Sequence, residues 1–408
     1  MLKLRARLFA LALLSLTGLG LISYSNSSVA QLLDVKTISQ LPTYLGAMDH
    51  DTFIALTDVH KEIPMDDKSL SYSVRLPKAW DKKVDHGTGA MSHISEKVLG
   101  EIVRYYSPSD FYTISRFSIT ALALEDRITA RNWFLNHVMV NGYVLQGMKV
   151  LSDYEVEGLY VLIEGDTSYS VRSKAVISGS RMFIVSYYVP YNTWEKDDKT
   201  RAMQERSISS FRFLSPDIDT TKLTQDFQFL NLVKFEYPST WRLTSRDTHS
   251  IEGASVRILN TKNSNLLEGQ IGVDIVSTES ETTISQEIAL LRNKLAEYGF
   301  KIKEVIEQEH NYNFDQHIYF NRVEAYSVDG IERSTIDHEY WIAVLVEDRH
   351  FYVVTLLTPS RLHSFYNWAI NSEAFQTVIE SIGPYVSESD LERIKRVEEE
   401  KRKAALNE

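Results

Sequence analysis

Two stretches of this 408-residue chain read alike: "YSVRLPKAWDKKV", Tyr72 to Val84, and "VKFEYPSTWRLTS", Val233 to Ser245. Each is an extended run closed by Pro-x-x-Trp and then a charged polar stretch, with Pro77 and Trp80 in one copy and Pro238 and Trp241 in the other. A chain that repeats such a signature is constrained to fold as two versions of one unit. Proline cannot donate to a sheet ladder, so each is expected to end or edge its strand and let the tryptophan fold back towards the core.

The agreement continues downstream. "YTISRFSITALAL" puts Phe117, Ile119, Ala121 and Ala123 on one face, and "QIGVDIVST" does the same with Ile271, Val273 and Ile275, as half-buried strands do. A helix follows in each copy. Thr283 and Gln286 make a capping box ahead of Ile284, Ile288, Leu291, Leu295 and Tyr298 at helical spacing, and Gly299 stops the run. Phe134 and Val138 match Leu291 and Leu295, and Gly142 matches Gly299. Strand-rich stretches come next, "GLYVLIEGD", "SVRSKAVI" and "RMFIVSYYVP" against "HIYFNRVEAYSV", "EYWIAVLVED" and "HFYVVTLLTP". They close at Pro190 and Pro359, ahead of final helices expected over Trp194 to Phe213 and Ser360 to Ile382.

The matched positions lie about 160 residues apart, a period that means two domains and not a solenoid. Hairpin-length gaps between strands and only two helices per copy predict an α+β fold of two tandem lobes, each a mainly antiparallel sheet flanked by helices. The expected organisation is a leader over 1–30, a leading segment over 31–69, a first lobe over 70–214, a linker over 215–229, a second lobe over 230–385 and a charged C-terminal helix over 386–408. That last helix has an apolar stripe of only Leu391, Ile394 and Val397, too short for a stable coiled coil.

"VRLPKAW" with "FIVSYYVPYNTW", and "FEYPSTW" with "FYVVTLLTPSRLHSFYNW", in this order around a middle helix, resemble the Mog1/PsbP-like superfamily over most of 70–214 and 230–385. The resemblance implies an α-β-α sandwich and a non-catalytic role, since such domains serve mostly as binding or assembly modules. No functional residue carries over, because the shared Pro and Trp are structural and the family's partners differ from member to member.

The N-terminus, "MLKLRARLFALALLSLTGLGLISYSNSSVAQ", sets Lys3, Arg5 and Arg7 ahead of an apolar run from Leu8 to Ile22 and small residues to Ala30. The run is shorter than the roughly 20 residues a spanning helix needs, so it predicts a signal peptide cut after Ala30, with a periplasmic or secreted product and no stable membrane insertion. The alternative is a membrane anchor through an uncleaved signal. With no cysteine, neither disulfide nor thiolate chemistry is open to the chain, and stability must come from its cores. The formal net charge of −11 opposes nucleic acid as a partner.

Chemistry leaves little trace. His86 and His93, and His310 and His317, are too far apart in sequence for a trusted zinc pair, no calcium loop or nucleophile elbow occurs, and Gly87-Thr88-Gly89 lacks the rest of a phosphate cradle. Glu155/Glu157 and Glu164/Asp166 alternate as a solvent face would. The sequence therefore predicts no catalytic, cofactor-binding or metal-ligating residue. Tyr187, Tyr188, Tyr191 and Trp194, at the corner around Pro190, are the candidate partner-binding aromatics. The expected function is an exported binding or assembly module whose partner is another envelope protein, and the alternative is a hydrolase with its site in the cleft between the lobes.

Overall fold

The computed structural model describes residues 38–385, apart from 84–96, 109–113, 215–221, 230–232, 251–252, 262–267, 307–311 and 330–336, together with Arg396. The leader with its cut after Ala30, the glycines at 87 and 89, His86, His93, His310 and the C-terminal segment 386–408 apart from Arg396 lie outside the described residues. The chain divides into two compact units, Met1–Thr221 and Lys222–Glu408. Among the described residues, no helix is long and apolar enough to cross a membrane.

The first unit runs α1 (His50–Leu56), β1 (Thr57–Glu62), β2 (Tyr72–Pro77), β3 (Asp81–Lys83), β4 (Lys97–Tyr106), β5 (Arg116–Ala123) and α2 (Ala130–Val140). It continues through β6 (Val144–Ser152), β7 (Glu155–Glu164), β8 (Thr167–Ser178), β9 (Arg181–Pro190), α3 (Tyr191–Trp194), α4 (Asp198–Ser210) and β10 (Arg212–Phe213). Its main sheet is seven-stranded and antiparallel in the order β3-β4-β5-β9-β8-β7-β6, beside a small sheet β1-β2-β10.

The second unit runs β11 (Thr224–Phe229), β12 (Val233–Pro238), β13 (Arg242–Ser250), β14 (Gly253–Asn260), β15 (Gly269–Ser277) and α5 (Ile284–Glu297). It ends with β16 (Lys301–Ile306), β17 (Phe320–Asp329), β18 (His338–Val346), β19 (His350–Pro359) and α6 (Phe365–Ser381). Its seven strands take the order β13-β14-β15-β19-β18-β17-β16, the first unit's order strand for strand, beside the pair β11-β12. The two units are therefore α+β folds of one topology.

Local chemistry explains the matching corners. Pro77 and Pro238 end β2 and β12, and the Trp80 and Trp241 amides donate to the carbonyls of those prolines at 3.2 and 3.1 Å. Gly142 and Gly299 close α2 and α5 at φ 65° and 85°, which glycine adopts without the penalty a Cβ brings. The capping box on α5 is formed, with Thr283 N–H donating to Gln286 Oε1 at 2.8 Å and Gln286 N–H to Thr283 Oγ1 at 3.3 Å.

Each main sheet carries helices on both faces. In the first unit Phe117, Ile119, Val185, Tyr187 and Val189 pack against Tyr72, Val74 and Leu76 of β2 and Ile208 of α4. On the other face Phe134 of α2 lies so close over Gly158 that a Cβ there would meet the ring at 2.4 Å. In the second unit Ile288, Leu291 and Leu295 of α5 cover Tyr326, Tyr340, Ile342 and Val353, and Trp341 meets Phe375 of α6 across the opposite face.

Four expectations need correction. Within the segment 31–69, residues 38–69 belong to the first unit: β1 pairs with β2, and the Tyr44 amide and Thr43 hydroxyl both donate to Glu205 on α4. The stretch 215–229 is not all linker, since Thr224–Phe229 is strand β11, paired with β12. The helix expected over Trp194 to Phe213 is broken, because Asp197 caps a new helix by accepting from the Lys199 amide and Arg212–Phe213 joins β2. Glu157 does not face solvent. It is 6% exposed and accepts from Arg172 Nε at 2.5 Å, while Arg172 Nη2 reaches Glu205 at 3.1 Å.

Candidate functional site

The corner aromatics separate by strand alternation. Tyr187 and Trp194 are core residues, 3% and 7% exposed. Tyr187 packs on Trp80 and Phe117, and the Trp194 indole N–H donates to Gln204 Oε1 at 3.0 Å. Tyr191 is half-buried against Trp194. Tyr188 points to the other sheet face, where the Arg116 guanidinium stands 4.0 Å from its ring centroid and pairs with Glu164. The four do not converge, and Tyr187 and Trp194 have no surface to offer as anchors.

Buried charge elsewhere is structural. Glu339, 2% exposed, accepts from the Arg361 amide and guanidinium and from the indoles of Trp341 and Trp368, all within 3.1 Å. Burial pushes its pKa up, but the Arg361 bonds and charge outweigh that and hold it below the usual carboxylate range. His350 and Glu347 pair at 2.9 Å beside Ser277, which stands across from His350 in the β15–β19 ladder. The Ser277 hydroxyl, however, accepts from the Glu279 amide at 3.2 Å, and no hydrogen bond joins it to His350. The arrangement is not a nucleophile with its base.

A cleft does form in the second unit. α5 presents two stripes: Ile284, Ile288, Leu291 and Leu295 lie on β17–β19, whereas Glu287, Leu290 and Lys294 border a cavity of about 580 Å³ over β14 and β15. The other walls are Gly253 to Ser255, Asp274 to Ser277, and the loop holding Glu279, Ser280 and Thr282. Asp274 is 2% exposed. Its Oδ1 accepts from the Ser255 hydroxyl at 2.5 Å and from Arg257 Nη2 at 3.0 Å, while Oδ2 has no hydrogen-bond partner. Burial, with the Asp274 charge adding to it, pushes the nearby Tyr340 phenol up to about 12, so it stays neutral at pH 7.

Asp274 is an internal polar position in a strand recognisable from its apolar alternation, and nothing in its sequence neighbourhood marks it out. Among the described residues, no group of three or more His, Asp and Glu is placed to hold a metal ion. The cleft is a recess with one buried, incompletely bonded acceptor, which suits it to receive a hydrogen-bond donor.

No protein-family model matches the chain, and no curated protein matches it. Solved structures do. A protein of unknown function from Pseudomonas aeruginosa matches at 11% identity over 39% of this chain and 97% of its own, with a TM-score of 0.19. The Tle4-Tli4 complex matches at 8% identity over 83% of this chain and 99% of its own, also at 0.19. DynU16, a protein of the dynemicin biosynthetic locus, matches at 6% identity over 80% and 97%, at 0.13. Scores this low leave the reading to the geometry above.

Proposed function

We propose that the chain is an exported, non-catalytic binding or assembly module of the bacterial envelope, built from two Mog1/PsbP-like lobes, with the second lobe's cleft receiving a partner protein. Two sheets with helices on both faces support the sandwich part of this reading. The observation that carries the binding part is Asp274, a buried carboxylate with one oxygen unfilled in a cleft of ligand-holding volume. Pockets with a few convergent polar groups are where ligands are held, and the acid-base pairs found here are closed on themselves.

The test places a photo-crosslinking amino acid at Leu290, an exposed wall position, in protein expressed in its own cells. A discrete adduct that weakens at least tenfold in the Asp274→Asn background is expected. No adduct, or one indifferent to residue 274, would overturn the assignment of the cleft.

A further inference from the structure

The duplicated fold supplies its own control for the cleft. Pro190 and Pro359 end matching strands, and four residues earlier stand Ser186 and Thr355. These pair across the ladder with Ser118 and Gly272, which pair in turn with Arg104 and Arg257. Both lobes thus keep an arginine at one address of the sheet, and both answer it with a carboxylate. In the first lobe Arg104 closes on Glu101 in bidentate fashion, Nε on Oε1 and Nη2 on Oε2, and gives Nη1 to the Tyr106 hydroxyl at 2.9 Å. Both carboxylate oxygens are used.

The second lobe leaves the same exchange open. Arg257 and Ser255 crowd onto Asp274 Oδ1, Arg257 Nη1 goes to the Val256 carbonyl at 2.9 Å, and Oδ2 is left over. A buried carboxylate oxygen without a donor is unfavourable, and the native fold keeps this one where the sister lobe closed it. Glu279 and Glu287 stand on the same walls, so an anionic guest would meet three carboxylates. Lys294 is set about 10 Å further along α5 from Glu287, given the helical rise.

We infer that the cleft takes a primary ammonium group, the tip of a lysine side chain on the partner polypeptide, with Asp274 Oδ2 as its acceptor. This rests on the reading of the chain as a binding module. An ammonium is a compact point charge with three donors and can bond a single oxygen, whereas a guanidinium gains most from two parallel bonds. Oδ1 is already filled by Ser255 and Arg257, so the fork of an arginine is not matched. Leu290 and Val276 offer apolar surface to the methylene stem, in the way lysine stems lie on apolar walls while the charge sits elsewhere. The chain's net charge of −11 favours approach of a basic partner.

The test titrates the full chain with Nα-acetyl-lysine methylamide, using the arginine and norleucine methylamides as controls, and follows binding by calorimetry. The lysine probe should bind, with both controls at least tenfold weaker. Asp274→Asn, which keeps an oxygen acceptor for Ser255 and Arg257, should lose at least tenfold, and Glu279→Gln about threefold. If Asp274→Asn does not fold, Leu290→Trp at the exposed wall carries the test by filling the cleft, again with at least tenfold loss. Equal binding of the arginine or norleucine probe, full binding by a folded cleft variant, or no binding of the lysine probe by the parent overturns the inference. A crosslink at position 290 that persists without lysine-probe binding fails only the ammonium assignment, and absence of that crosslink fails the broader reading.

Discussion

His137 is enclosed on α2, 5% exposed, stacked on Trp133 and edge-on to Tyr143, with its Nδ1 3.3 Å from the Asn141 amide. Burial pushes its pKa down to about 4, against about 6.5 in the unfolded chain. Between those values the unfolded chain binds a proton that the folded one does not, so stability is full above pH 6.5 and falls as pH drops towards 4. The loss is on the order of 3 kcal/mol for this group. His137→Gln should flatten the stability-against-pH profile of the first unit in that window, as measured by urea unfolding at several pH values. A variant profile parallel to the parent's would show that another group carries the acid sensitivity. Arg172 and Glu339 handle burial differently: each is charged, and each is met by several partners instead of changing state.

The Pro-x-x-Trp corner is one device used with different weight. Trp241 is 3% exposed and belongs to the second unit's core, whereas Trp80 is half-buried, tilted against Tyr187 at 4.9 Å. Removing a buried tryptophan leaves a cavity that the surroundings only partly fill, so Trp241→Ala should destabilise the second unit by about 3–5 kcal/mol. Trp80→Ala removes less buried area and should lower the first unit by roughly half of that. Calorimetry of both variants beside the parent checks the order and the location of the effect. Equal losses, or a Trp241→Ala change confined to the first unit's transition, would remove the corner from the account of each core.

For the whole molecule, identical strand order in two compact units means that duplication preserved the architecture while the polar interiors diverged. Glu101 and Asp274 answer matching arginines from different strands, which is divergence at one address and not a copied site. The leader, expected to direct export, makes a prediction at this scale as well: sequencing the N-terminus of the exported chain should begin at Gln31. A chain retained at the membrane with Met1 intact would replace export by anchoring.

Local sequence patterns determined what local physics controls. Period-two alternation marked β5, β15 and the late hairpins, the Thr283/Gln286 pair marked the start of α5, and the Pro-x-x-Trp repeats marked where β2 and β12 stop, because each depends on residues a few positions apart. Alternation also says that a strand has two faces, but not what covers either one. That is why Glu157 read as solvated and is buried beneath Arg172, and why Tyr187 and Trp194 read as possible anchors and are core. Asp274 became part of a cleft only when β14 was laid beside β15 and α5 was set over β17–β19, leaving its second stripe facing empty space. Burial is a sum over elements distant in sequence, so the tertiary structure alone decided which polar residues would be closed off and which one would be left with an oxygen to offer.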